Sequence, residues 1–281
     1  MSKSARSAGA ASFFDGTLQE KRGRIAIIAL VIAFAFVAGG SLGLPKRAAD
    51  ILFDRHGALW PFSVQTFMWF GFALAMGELL IRLDTGIADE RELAKSYLPE
   101  DPRTILTVDQ LPAIFRRVTA EANANRRFLP RLIGRCSLQF QTNRSLSQTT
   151  VLLNSSAEMF SHEVDLRYNM LRYIAWMIPT LGFIGTVIGI GLALEFAGEP
   201  ESAGRSDMLT IVTGMLAVSF NGTLVALLLA TIIVFFMHIC QAKEEHALNM
   251  SVQYCLDHLV NRLYVPEGDA EPAEPVKRPA R

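Results

Sequence analysis

Residues 178–194 read IPTLGFIGTVIGIGLAL, a run that contains four glycines, one proline and no charged side chain. It is apolar enough to lie in a membrane. A glycine in a helix interior costs about 1 kcal/mol relative to alanine, so these glycines need a reason other than helix stability. Small residues let two membrane helices approach closely. The stretch therefore predicts a membrane helix that packs tightly against another helix.

The small residues of this run fall on one helix face. At about 100° per residue, Gly182, Thr186, Gly189 and Ala193 share that face, and Gly185 lies beside it. Residues 217–230, AVSFNGTLVALLLA, carry a second such face: Ser219, Gly222, Thr223, Ala226 and Ala230. Two interpretations fit: tight packing, with threonines bonded to their own backbone carbonyls, or a wall that faces something narrow and tolerant of polar groups. Because both faces carry hydroxyls, we favour the second interpretation, in which the two faces line a narrow, polar-tolerant space.

Four segments are long and apolar enough to cross a bilayer, which needs about 20 residues. They are residues 25–44, 60–81, 173–197 and 208–239. Of the 281 residues 51% are hydrophobic, and the 27 acidic residues balance 27 basic ones. The balance argues against nucleic-acid binding, which needs a basic surface. We predict an all-α membrane protein with four transmembrane helices, a helical cytoplasmic domain between spans two and three, and long helices extending into the cytoplasm.

The chain divides into six predicted segments. They are an N-terminal cytoplasmic segment (1–24), a first transmembrane hairpin (25–83), a cytoplasmic helical domain (84–171), a second pair of transmembrane helices (172–240), a cytoplasmic helix (241–265) and a disordered tail (266–281). Between residue 132 and Pro179 there is no other proline and one glycine, which predicts a single helix continuing into the third span. In the cytoplasmic helix, Leu248, Val252, Leu256 and Leu259 recur at helical spacing.

Lysine and arginine positions predict the orientation of the spans. Basic residues are concentrated before the first span and between the second and third. The loop between spans three and four holds Arg205 against Glu199, Glu201 and Asp207. We therefore expect both termini and the large middle segment in the cytoplasm.

No motif indicates an enzyme, a metal site or a bound cofactor. Residues 185–191, GTVIGIG, lack the lysine of a phosphate-binding loop, and the three cysteines match no metal or redox spacing. Spans three and four carry no carboxylate at mid-depth, since Glu195 lies near the outer boundary. Glu78 in span two precedes Arg82 by four residues, which predicts a helix-surface ion pair.

The pattern PTLGFIGTVIG at residues 179–189, followed by a short acidic loop and AVSFNGTLVALLLA, resembles the proton-channel domain shared by MotA, TolQ and ExbB. Five residues match the proline, glycine and threonine spacing of that family: Pro179, Gly182, Gly185, Thr186 and Gly189. Thr223 matches the threonine of the family's last span. The resemblance covers about residues 171–236, and four spans with an insert between the second and third are similar to MotA.

The resemblance implies an ion-channel subunit of a motor driven by ion-motive force in the bacterial inner membrane. It implies a pentamer of this chain around two single-span partners of the MotB/TolR/ExbD type, each with a transmembrane aspartate. A proton or a sodium ion would be the coupling ion. We assign the ion pathway to Thr186, Thr223 and Ser219. The helix-packing and channel-wall positions are Pro179, Gly182, Gly185, Gly189, Gly222 and Ala226.

Other functions remain open at this point. A membrane scaffold could pack partner helices without conducting ions. A flagellar stator is a further alternative, although the sequence lacks the charged loop motif that faces a flagellar rotor and a second proline near the end of the last span. A secondary transporter is disfavoured, because the chain shows no repeated halves.

The orientation predicts the activity of reporter fusions. A reporter enzyme that works only in the periplasm should be active when fused at Ser202 and inactive at Gln148 or after Arg262, because basic loops stay in the cytoplasm. The measurement is enzyme activity per amount of fusion protein. Strong activity at Gln148 would overturn the four-span topology.

Overall fold

The computed structural model describes residues 3–53, 63–99, 101, 103–125, 127–201 and 204–264. Within these ranges the chain forms seven α-helices. They are α1 (Lys3–Gly43), α2 (Lys46–Phe53), α3 (Val64–Glu92), α4 (Leu111–Asn125), α5 (Phe128–Asn143), α6 (Leu146–Gly198) and α7 (Met208–His258). Short 3-10 turns lie at Leu93–Lys95, Val108–Gln110 and Val260–Arg262. The described residues form no β-strand beyond one parallel bridge between Leu106 and Leu263.

Four helices are long and apolar enough to cross a membrane: α1 from Arg22 onward, α3, α6 and α7. This confirms the predicted all-α fold with four candidate spans. The predicted start of the second span at Trp60 and the predicted tail at 266–281 lie outside the described residues. The placement of the middle segment in the cytoplasm stays a prediction.

The chain divides into two compact units. The first comprises Met1–Leu83 and Arg167–Gln241, and the second comprises Asp84–Leu166 and Ala242–Arg281. The predicted division into six segments stays a prediction.

In the first unit, α1 and α3 approach closely through small residues. A Cβ on Gly77 would lie 3.1 Å from the Cβ of Ala29. Nearer the start of α3, the indole N–H of Trp69 donates to the carbonyl of Leu52 at 2.9 Å, and the Trp69 ring lies 4.9 Å from that of Phe36. The Phe53 ring of α2 lies 5.7 Å from that of Phe36 and 5.8 Å from that of Trp69, and this aromatic packing fixes α2 against α1 and α3.

The ion pair predicted on α3 is confirmed. The guanidinium of Arg82 donates to the Glu78 carboxylate at 2.6 Å, and Arg22 of α1 binds the same carboxylate oxygen. Two arginines on one carboxylate leave no net negative charge at this position. Glu78 therefore links α3 to α1 through its ion pair with Arg22.

The single helix predicted from residue 132 into the third span is wrong at its beginning. Helix α5 ends at Asn143, and Arg144 adopts a left-handed conformation with φ 50°. The N–H of Arg144 bonds back to the Phe140 carbonyl at 2.9 Å, which closes the end of α5. Ser145 then begins α6, since its hydroxyl accepts the N–H of Gln148 at 3.3 Å, as an N-cap residue does. From Leu146 to Gly198 the helix is continuous, including Pro179.

In the second unit, α5 packs antiparallel on the beginning of α6. The buried rings of Phe128 and Phe160 lie 5.8 Å apart. The guanidinium of Arg131 lies 4.2 Å from the centre of the Phe160 ring, and that of Arg135 lies 4.9 Å from it. Arg131 also pairs with Glu163 at 3.3 Å. Desolvated cation–π contacts contribute about 2 kcal/mol, so Phe160 is a principal anchor of this hairpin.

The residues that recur at helical spacing near the end of α7 coincide only in part with the buried ones. Leu248 and Leu259, the residue after the helix, are buried, whereas Val252 and Leu256 are half-buried. The other buried residues are mostly small or polar: Glu244, Ala247, Ser251 and Cys255. Small and polar side chains carry little hydropathy signal, so leucine spacing alone does not locate the buried face.

Burial makes Cys136 on α5 unreactive. The thiol is fully buried, and burial raises its pKa to about 12. At pH 8 about one such thiol in ten thousand is ionised, and the thiolate is the nucleophile. Iodoacetamide should therefore leave Cys136 unmodified in the native detergent-solubilised protein, as measured by peptide mass spectrometry. The control is Ser155→Cys at an exposed position of α6, which should react readily. Equal labelling of the two thiols would contradict this packing.

Candidate ion-path site

Helices α6 and α7 cross most closely at two glycines. A Cβ on Gly182 would lie 2.5 Å from the Cβ of Ala226 and 3.2 Å from the Cα of Thr223. A Cβ on Gly189 would lie 2.8 Å from the Cβ of Ser219. Carbon atoms that are not bonded prefer separations of about 3.5–4.0 Å. Any larger residue at these positions would push the helices apart, which accounts for both glycines. We call this contact the α6–α7 seam.

Two hydroxyls meet in the α6–α7 seam. Thr223 donates to the backbone carbonyl of Gly182 across the seam at 2.9 Å, and its hydroxyl contacts that of Thr186. Thr186 Oγ1 also lies 3.1 Å from the carbonyl of Gly182 and 3.2 Å from that of Ser219. Both threonines are half-buried. The structure thus brings together the two residues that the sequence assigned to the ion pathway.

Each hydroxyl has one proton and two lone pairs. If Thr223 donates to Gly182, Thr186 can give its proton to Thr223 Oγ1 or to a carbonyl, and its own lone pairs remain available. The seam can therefore accept a hydrogen bond from a donor that approaches it. It contains no acid, because residues 173–194 and 208–239 carry no Asp, Glu, Lys or Arg.

The other predicted residues occupy different surroundings. Ser219 is buried, and its hydroxyl donates to the Met215 carbonyl one turn earlier at 2.8 Å. Gly185 faces α3, where a Cβ would lie 3.6 Å from Val64 Cγ1, and Gly222 also faces α3. Pro179 is half-buried inside α6. Glu195 is exposed near the end of α6. In the part of the chain that the structure describes, no three His, Cys, Asp or Glu side chains form a group that could hold a metal ion.

Residues 120–251 match the family model described as the MotA/TolQ/ExbB proton channel family. This segment of the chain is similar to the MotA/TolQ/ExbB family. The match includes both sides of the α6–α7 seam and confirms the resemblance seen in the sequence. No curated protein and no solved structure matches the chain. The family is one of proton channels rather than enzymes, and four apolar helices fit a multi-pass membrane protein.

The MotA/TolQ/ExbB segment does not contain every polar group near the seam. Gln65 of α3 is 4% exposed, and its Nε2 lies 3.5 Å from the position that a Cβ on Gly222 would take. The sequence pattern did not single out this residue, because a neutral amide adds no charge to span two. The signal was present as a lone amide in the apolar stretch WPFSVQTFMWFG.

Around the seam, the outer surface of the MotA/TolQ/ExbB segment is apolar. The large exposed side chains of α6 here are Phe183, Ile184, Val187, Ile188, Leu192 and Leu194. Exposed apolar surface on this scale requires lipid or other helices around it. Thr186 and Gly189 lie among these residues in the sequence, so a surrounding helix could reach the edge of the seam.

Close packing at the seam predicts the effect of one added methyl group. Gly182→Ala should separate α6 from α7 and lower the free energy of unfolding by about 1–3 kcal/mol, as overpacking does. Ala226→Gly in the same chain should restore part of this loss, because it removes the clashing Cβ. The measurement is the thermal midpoint of the detergent-solubilised protein for the wild type, Gly182→Ala, Ala226→Gly and the double variant.

The matched control is Gly191→Ala on the same helix, where a Cβ meets nothing within 4 Å. It should have little effect or raise the midpoint slightly through helix propensity. A Gly182→Ala variant as stable as the control would show that the two helices are not in close contact.

Proposed function

We propose that this chain is the channel-forming subunit of a proton-driven motor in the bacterial inner membrane. The observation that carries the proposal is the Thr186–Thr223 hydroxyl pair in the α6–α7 seam, within the segment that matches the proton channel family. These hydroxyls are held between two glycine-rich helices whose exposed outer surface is largely apolar. Groups that line the narrowest part of a path determine which ions pass.

Because the seam has no ionisable group, proton transfer through it requires a second protein. A threonine does not ionise near neutral pH, so the pair can accept and donate hydrogen bonds but cannot store a proton. Proton relays through membranes use Asp, Glu or His chains, and spans three and four contain no Asp or Glu at mid-depth. We propose that a single-span partner of the MotB/TolR/ExbD type supplies the carboxylate, as an aspartate facing Thr186.

The assembly that fits these requirements is a pentamer of this chain around two partner helices. The exposed apolar side chains of α6 would then contact neighbouring subunits and the partner. Passage of a proton or a sodium ion, with the partner's aspartate changing its protonation or its bound ion, would rotate one ring against the other and perform mechanical work. Both termini and residues 84–171 would lie in the cytoplasm, as the basic residues indicate.

One observation favours a different function, a non-conducting scaffold. The hydroxyls of Thr186 and Ser219 each lie within hydrogen-bond distance of the carbonyl four residues earlier, Gly182 and Met215. Such bonds satisfy a hydroxyl inside a helix without any ion. A scaffold would need the glycines for packing and would tolerate loss of both threonine hydroxyls.

The experiment that separates the two functions removes one hydroxyl at a time. In vesicles that contain this chain and its co-purified single-span partner, Thr186→Val and Thr223→Val should each reduce proton or sodium uptake at least about tenfold, a change of about 1.4 kcal/mol in barrier height. Assembly should survive, because one interhelical hydrogen bond in a membrane contributes about 0.6 kcal/mol on average. Native mass spectrometry checks the oligomer.

The matched control lies six residues earlier on the same helix. Thr180 is half-buried, as Thr186 is, and donates to the carbonyl of Trp176 on its own helix at 3.0 Å, so Thr180→Val should conduct like the wild type. Thr186→Ser keeps the hydroxyl and should retain most of the flux. Wild-type flux in both valine variants of the pair would favour the scaffold over the channel.

A further inference from the structure

Gln65 is a buried polar side chain whose oxygen lacks a partner. It is 4% exposed in the first turn of α3, and its Oε1 accepts no hydrogen bond within the part of the chain that the structure describes. Its polar neighbours Ser63 and Thr66 satisfy each other, with their hydroxyl oxygens 3.1 Å apart. The amide oxygen of Gln65 is therefore the unpaired acceptor of this turn.

Two glycines make room for this turn beside the seam. A Cβ on Gly222 of α7 would lie 3.5 Å from Gln65 Nε2 and 3.9 Å from its Cγ. A Cβ on Gly185 of α6 would lie 3.6 Å from the neighbouring Val64. Each glycine directly precedes a seam threonine in the sequence. The turn that carries the amide thus lies against both helices next to the Thr186–Thr223 pair.

An unpaired amide oxygen is disfavoured at a buried site. Losing the hydrogen bonds of water costs free energy that no contact returns, and the hydrocarbon around membrane helices offers no replacement. Methionine has nearly the same length and shape and would avoid this cost. An amide at this position, beside the glycines that precede the two threonines, points to a hydrogen-bond donor that binds its oxygen in the functioning protein.

We propose that Gln65 is a further polar group of the ion path, and that its amide oxygen accepts a hydrogen bond from a water molecule that carries the proton past Thr186 and Thr223. The proposal rests on the proposed channel function and extends it to span two, outside the matched segment. The amide stays neutral throughout. It orients the water, which accepts a proton on one side and releases one on the other, so no charge remains on this chain.

The test compares proton uptake into vesicles that hold this chain and its co-purified partner at equal protein levels. Gln65→Met should reduce the flux at least about tenfold, since it removes the acceptor and keeps the volume. Gln65→Glu keeps a carbonyl-type oxygen and should retain a measurable flux. Thr66→Val is the matched control, because the Thr66 hydroxyl is buried in the same turn and is already paired. It should conduct like the wild type.

A second measurement examines the water itself. In water-edited solid-state NMR of the protein in lipid, with glutamine side chains labelled by ¹⁵N, the Gln65 signal should gain magnetisation from water about as fast as that of exposed Gln110. The Gln65→Met variant identifies the signal by its loss. Slow transfer would overturn the proposal, since the amide would then be dry. A dry amide also predicts that Gln65→Met raises the thermal midpoint and leaves the flux unchanged.

The two measurements distinguish failure of the proposed role of Gln65 from failure of the proposed channel function. A wild-type complex that conducts, together with a Gln65→Met variant that conducts equally, overturns the role of Gln65 and leaves the channel intact. A wild-type complex that does not conduct overturns the channel function and the role of Gln65 with it. Fast water transfer combined with a loss of flux in Gln65→Met and full flux in Thr66→Val supports the proposal.

Discussion

The close crossing of α6 and α7 at Gly182 and Gly189 is the constraint on which the rest of the site depends. With helix backbones this near, a Cβ at either glycine would overlap α7, so the helices can meet only where both present small residues. This proximity is what brings the Thr223 hydroxyl within 2.9 Å of a carbonyl on the other helix. Larger residues would separate the hydroxyls and replace their mutual contact with contacts to their own helices. The glycines that weaken α6 by itself therefore create its polar site.

The strength of the individual bonds explains why the seam can be both stable and functional. An interhelical hydrogen bond in a membrane contributes little to stability, whereas a polar atom in hydrocarbon without a partner is costly. Helix packing through small residues can therefore hold the seam without the hydroxyls, and the hydroxyls are free to exchange partners. In the proposed channel, a seam stabilised mainly by its polar bonds would have to break them each time an ion passed. Here the carbonyls of Gly182 and Ser219 offer Thr186 alternative acceptors at similar distances.

The sequence predicted those features that rest on hydropathy, charge and helical spacing. Four spans, the pairing of Glu78 with Arg82 and the family of the channel segment all follow from such patterns. The end of α5 was missed because Arg144 adopts a left-handed conformation that glycine or asparagine usually marks, and the N-cap signal of Ser145 was overlooked. The cation–π contacts on Phe160 depend on the antiparallel turn between α5 and α6, so no local pattern could have revealed them. Gln65 was missed because its significance comes from what lies opposite it on another helix.

The boundary of the family match has a physical consequence for how the seam is built. Residues 120–251 include α6 and the membrane part of α7, yet the outward side of the two glycines next to the threonines is covered by Val64 and Gln65 of α3. Removing α3 would expose Gly185 and Gly222 to lipid and leave a groove beside the hydroxyl pair. The matched segment alone therefore does not define the surroundings of its own polar groups. Residues of span two complete the surroundings of the threonines. A substitution in that span can therefore change the polarity beside the threonines while residues 120–251 stay the same.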